Sequence, residues 1–134
     1  MNDCLFCKII NKELPSDVIY EDDQCLAILN IHPVTEGHTL VIPKKHSENI
    51  FDVDQQTLQH IIVVVKKVAQ GLKESLHVGG INIGINNGKP GQDIFHLHFH
   101  LMPRTPNDGL KLWDGKDVNK ETLKKTAEKI RKAF

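Results

Sequence analysis

Residues 96 to 102, His96-Leu97-His98-Phe99-His100-Leu101-Met102, alternate imidazoles with apolar side chains. A period of two is the pattern of a half-buried β-strand. In an extended strand, residues two apart stand on one face about 6.6–6.8 Å from each other. His96, His98 and His100 therefore share one face. Leu97, Phe99 and Leu101 share the other and can enter a core. Packing gives no reason for imidazoles all along the opposite face: one surface histidine is ordinary, three in step are not. Imidazole is the side chain that serves as base, nucleophile or ligand near neutral pH. A metal centre competes with catalysis, but same-face strand positions are too far apart for three ligands around one zinc at about 2.0–2.1 Å each. The strand as a whole reads as catalytic.

A chain of 134 residues is the size of one domain with one core. Its 17 basic and 17 acidic residues cancel, so no polyanion-binding field is expected. No basic run with interleaved aromatics marks a nucleic-acid site. The longest apolar run, Ile61 to Val65, is far too short to span a bilayer. Met1-Asn2-Asp3-Cys4 lacks the charged and apolar regions of an export signal, and three cysteines, an odd set, argue against a disulfide framework. A cytoplasmic protein without membrane or nucleic-acid partners is the expectation.

Apolar residues at positions 5, 6, 9 and 10 give one face of a short N-terminal helix that ends before Pro15. Val18 to Tyr20 predicts a first strand, Glu21-Asp22-Asp23 a hairpin turn, and Cys25 to Leu29 a second strand with Cys25 in the core. Pro33 and Gly37 punctuate a loop. His38 to Pro43 predicts a third strand, apolar enough to be central. Asp52 or Asp54 can cap a long helix reaching about Leu76, with Leu58, Ile61, Ile62, Val65, Val68, Ala69 and Leu72 on its apolar side. The β-branched run Ile61 to Val65 also fits a strand, but the periodicity favours helix. Ile81 to Asn86 alternates as a fourth strand, Asn87 to Gly91 forms a turn, and the histidine strand is the fifth. From Asn119 to Phe134, Leu123, Ala127, Ile130 and Phe134 predict an amphipathic terminal helix with a solvated lysine face. The order predicts an α+β fold: a five-stranded antiparallel sheet with one long helix and short flanking helices.

The segment His96 to Met102 fits the His-φ-His-φ-His-φ-φ signature of the histidine triad (HIT) family of nucleotide-binding hydrolases and transferases. The resemblance runs from Cys4 to Arg104, so residues 1–134 read as one HIT domain with its core at about 4–104 and a helical extension at about 119–134. It implies the same α+β fold, and a homodimer formed through the long helix and fourth strand.

Carried onto this chain, the resemblance makes His98 the nucleophile at the α-phosphorus, forming a covalent nucleotidyl-histidine that water then hydrolyses. The His96 carbonyl holds the His98 ring in its tautomer. His100 and His38 hydrogen-bond phosphate oxygens, and Gln92 meets the non-bridging oxygens or the leaving group. Without the resemblance, His38 reads equally well as a surface histidine opening a strand. Gly91, in the glycine-bearing loop Gly88 to Gln92, lets backbone amides approach a phosphate, although a plain hairpin turn accounts for the same residues. Asn86 contacts ribose or phosphate. Phe6, Ile9, Leu29 and Ile31 match the family's base pocket, and each also reads as core. Asn30 stands where many relatives place a ribose-binding aspartate, and retains one acceptor and one donor. Two further departures stand out: the 87–91 loop is one residue shorter than in many members, and Asp93 replaces a common serine or threonine. A carboxylate beside a bound phosphate repels it.

Cys4 and Cys7 form a Cys-x-x-Cys pair without a second pair, so they read either as half-buried thiols or as half of a metal site. His46 and His96 complete a Cys₂His₂ set for structural zinc, an arrangement several prokaryotic HIT proteins share. No cluster of carboxylates accompanies the triad, so no catalytic metal is expected. The expected function is a hydrolase of the nucleoside phosphoramidase type, cleaving purine nucleoside phosphoramidates or AMP conjugates. Dinucleoside polyphosphate hydrolysis or nucleotidyl transfer shares the covalent step, and a non-catalytic nucleotide-binding adaptor is the alternative outside enzymology. An intact His98 favours the enzyme.

Overall fold

The computed structural model describes residues 3–111 and 113–134; Met1, Asn2 and Leu112 lie outside it. The elements run α1 (Leu5–Ile10), β1 (Val18–Glu21), β2 (Cys25–Leu29), β3 (Thr39–Pro43), α2 (Gln55–Leu76), β4 (Gly80–Gly84), β5 (Phe99–Arg104) and α3 (Lys120–Arg131). The five strands form one antiparallel sheet in the order β1-β2-β3-β5-β4. β3 is central, as its continuous apolar sequence predicts.

Period-two alternation sends the two faces of β2 and β3 to different cores. Cys25, Ala27 and Val41 pack under α2 with Leu97, Phe99 and Leu101. Leu26, Ile28, Leu40 and Ile42 pack on the opposite side with Phe6 of α1. Asp54 caps α2 by accepting from the Thr57 N–H. The buried stripe is Ile61, Val64, Val65, Val68 and Leu72, the spacing of one helical face. That stripe decides the segment as helix despite its β-branched run, and it leaves Ile62 and Val63 exposed.

Two expectations are corrected. First, the histidine strand is regular only from Phe99. Its ladder with β3 ends at Val41↔Phe99, because the bonds beyond go elsewhere: Leu97 N–H donates to the Ser47 carbonyl, and the Pro43 carbonyl bonds the His96 ring. His96 and His98 therefore sit in the lead-in, and only His100 lies inside β5. With that partner gone, β4 stops at Gly84 instead of running to Asn86. Second, the histidine segment is not half-buried but buried on both faces, since α1 lays Phe6 edge-on against His96 and His98, with ring centroids 5.9 and 5.0 Å away. The terminal helix α3 forms and is amphipathic as expected, and none of its residues is buried.

Asp22 fixes the first hairpin to α2. One carboxylate oxygen accepts from the Gln24 and Cys25 amides, the other from the Tyr20 hydroxyl, and it also pairs with His60 Nε2 at 2.9 Å. Burial pushes this carboxyl up, but those donors outweigh it and hold it down at about 2. Asp22→Ala is expected to lose about 2–3 kcal/mol at pH 7, read from the denaturant midpoint. Because the folded value is depressed, this stability is present above the ordinary carboxyl value of about 3.9. It is lost as pH falls from there through about 2, so variant and wild type converge in acid.

Candidate active site

Four imidazoles stand at the junction of β3, β5 and the lead-in to β5, and each has its tautomer set by a neighbour. His98 Nδ1–H donates to the His96 carbonyl at 2.7 Å, which leaves Nε2 with a free lone pair. On the next ring, the Val34 amide donates to His38 Nδ1 at 3.2 Å, so His38 Nε2 carries its proton and donates to His100 Nδ1 at 3.0 Å. His100 is then left with an N–H at Nε2. The His98 and His100 rings lie 4.9 Å apart between centroids. A lone pair and an N–H donor thus stand side by side, the combination that attacks an electrophile and steadies the oxygen beside it.

Burial keeps these rings neutral. It lowers His98 and His38 below the ordinary histidine value. It takes His100 to about 4, with smaller contributions from His98 and His38. A neutral His98 is nucleophilic throughout the physiological range.

His98 and His100 open into a cavity of about 630 Å³. Of the nucleotide-site residues expected from the sequence, Phe6, Ile9, Leu29, Asn30, Ile31, Asn86 and Gly91 line it with them. Phe6 and Ile9 form an apolar floor, whereas Ile31 is an 80% exposed rim residue. The Asn30 side-chain oxygen accepts from the His32 amide at 2.9 Å, leaving its NH₂ group as the free donor.

Gln92 and His38 are placed differently from expectation. Gln92 is 1% exposed and turned away from the cavity. Its Oε1 accepts from Asn49 Nδ2 and the Gly88 amide, and its Nε2 donates to the Glu48 and Ile94 carbonyls. All four of its hydrogen-bonding positions are filled, so none is left for a substrate. His38 likewise has both ring nitrogens engaged, Nδ1 by the Val34 amide and Nε2 by His100 Nδ1. Asn49 is the residue that sequence reasoning missed. It lies in the polar stretch Ser47-Glu48-Asn49, where no periodicity marks which amide is buried.

Behind the cavity, Cys4, Cys7, His46 and His96 bring four ligand atoms within 4.8 Å of one another. Cys4 Sγ lies 3.3 Å from His96 Nδ1, Cys7 Sγ 3.3 Å from His46 Nδ1 and 3.6 Å from His96 Nδ1, and the two Nδ1 atoms are 3.1 Å apart. Four ligands at about 2.0–2.3 Å from one zinc have edges of about 3.3–3.8 Å. The set therefore fits a tetrahedral zinc with no open position. His96 Nε2 donates to the Pro43 carbonyl at 2.8 Å, so its Nδ1 lone pair faces the other three ligands. Without a cation among them, burial and Cys4 push the Cys7 thiol up to about 11.

The family model for the HIT domain matches residues 11–107. The chain belongs to the HIT family of nucleotide-binding proteins, which includes hydrolases. It is 50% identical over 127 residues to an uncharacterized HIT-like protein of Borreliella burgdorferi, an alignment covering 92% of this chain and 91% of that protein. It is 36% identical over 124 residues to the adenylylsulfatase HINT3 of Arabidopsis thaliana, covering 92% of this chain and 62% of the relative. A zinc-bound histidine triad family protein from Mycobacterium smegmatis superposes with a TM-score of 0.77 at 37% identity, covering 99% of each chain. Among the described residues, no helix is long and apolar enough to cross a membrane.

Proposed function

We propose that this protein hydrolyses purine nucleoside 5′-phosphoramidates or related AMP conjugates through a nucleotidyl-histidine intermediate. The observation that carries the reading is the His98 ring, with Nδ1–H held by the His96 carbonyl and Nε2 free beside the His100 donor. In the first step His98 Nε2 attacks the α-phosphorus. The P–N bond breaks with its electron pair going to nitrogen, which takes a proton from water and departs as the amine. Water then attacks the phosphorus, releasing AMP and restoring His98. His100 Nε2–H bonds a non-bridging oxygen as charge builds, and His38 holds that ring in register. The base lies on Phe6 and Ile9, and Asn30 offers its NH₂ group to the ribose.

Zinc, bound by Cys4, Cys7, His46 and His96, would supply rigidity and no chemistry at phosphorus. His96 belongs to both sites, since its ring faces the cluster while its carbonyl sets the His98 tautomer. The protein acts as a homodimer. Supporting this, β4 is an unpaired sheet edge, and it lies beside an apolar groove lined by Ile62, Val65, Ala69, Ile81 and Ile83.

Turnover of an adenosine phosphoramidate, diadenosine polyphosphates and a nucleotide sugar, compared at equal concentration, tests the reading. The phosphoramidate is expected to give the highest kcat/KM, unchanged when magnesium is withdrawn, since side chains and amides carry the charge stabilisation. A magnesium-dependent preference for polyphosphates would contradict it.

A further inference from the structure

The cavity's only carboxylate among the described residues is Asp93, and no lysine or arginine lines it. Asp93 follows Gln92, whose four hydrogen bonds lock it into the loop. It precedes Ile94, which packs against the cluster formed by Phe6, Leu26, Ile28, Leu40 and Ile42. Between these fixed neighbours the exposed Asp93 lines the same cavity as His98 and His100. None of the ion pairs among the described residues involves it. An acid held without a cationic partner beside a site for a phosphoryl group weakens anion binding, unless the ligand itself brings the counter-charge.

We propose that Asp93 selects the leaving group by charge: the site prefers amines carrying a second, cationic group and disfavours anionic leaving groups such as phosphates, polyphosphates and sulfate. The inference rests on the phosphoramidate reading and names the substrate class within it. Its physics is Coulombic. A substrate filling the cavity lies within about one Debye length, roughly 8–10 Å, of its wall, so salt screens the carboxylate incompletely. An ammonium on the departing amine neutralises Asp93 while the phosphoryl group engages His100. A carboxylate or phosphate in the same place adds to the repulsion.

The test uses the full-length protein, wild type and Asp93→Asn, with three adenosine 5′-phosphoramidates whose amines have equal length. One ends in a methyl group, one in an ammonium and one in a carboxylate. Wild type is expected to rank them ammonium, methyl, carboxylate in kcat/KM, with about tenfold per step. In Asp93→Asn, an exposed and nearly isosteric change, the three are expected to fall within about twofold of one another, each variant being its own reference. The wild-type ranking is also expected to narrow at high salt. Cleavage of all three without a charge order, or an order that survives Asp93→Asn, overturns this inference alone. Cleavage of none overturns the phosphoramidate reading and this inference with it.

Discussion

His98→Asn is expected to lower kcat for a phosphoramidate by at least about 10⁴-fold, the scale seen when a covalent nucleophile is removed from a catalytic unit. Asparagine suits the test because its amide NH₂ can still donate to the His96 carbonyl, which His98 Nδ1 engages at 2.7 Å in wild type. The variant keeps that anchor and loses only the attacking nitrogen. The apolar floor at Phe6 and Ile9 is untouched, so AMP affinity is expected to stay within about tenfold, or about 1.4 kcal/mol. Equilibrium binding beside single-turnover kinetics separates the two effects. Near-normal turnover in this variant would remove His98 from the chemistry. A matching loss of binding would instead indicate a collapsed cavity, which unfolding curves would show.

The second large effect concerns the metal. Cys4→Ser combined with Cys7→Ser removes two of four ligands and leaves the His46 and His96 Nδ1 atoms facing each other at 3.1 Å with nothing between them. Loss of a structural metal is among the few causes of destabilisation above about 4 kcal/mol, so Tm is expected to fall by roughly 10–15 °C. Purified wild type is expected to carry about one zinc per chain and the double variant none. Turnover per folded molecule should fall far less than with His98→Asn, because the His96 carbonyl and the His38–His100 pair persist. Metal-free wild type of the same Tm as the variant would make Cys4 and Cys7 packing residues.

The sequence carried the architecture where periodicity is strong. β2 falls where its apolar run puts it, α2 starts at the second of the two caps the sequence offers, Asp54, and β3 begins only one residue later than the pattern suggests. It carried less where a side chain or loop takes over a ladder bond. Alternation at His96, Leu97 and His98 looks like strand, yet their bonds go to the Pro43 and Ser47 carbonyls, and no period announces that. The cavity was legible through family resemblance at Phe6, Ile9, Asn86 and Gly91, but side-chain direction was not. Gln92 has the composition of a substrate contact and the placement of a buried clamp. What decides this is its pairing with Asn49, 43 residues away, and nothing local to either residue encodes it. For α3 the apolar stripe was legible and its exposure was not, since a pattern reports a face and not what covers it.

The proposed mechanism requires a covalent bond between His98 Nε2 and the α-phosphorus, and trapping that species tests it most directly. Wild-type protein mixed with an adenosine phosphoramidate, quenched without acid within one turnover and digested, is expected to yield one peptide heavier by a single adenylyl group, with fragmentation placing the group on His98. Labelled substrate should then chase from that peptide as AMP at a rate matching kcat. Adenylylation of another residue, or full turnover with no modified peptide at any time point, would contradict the account.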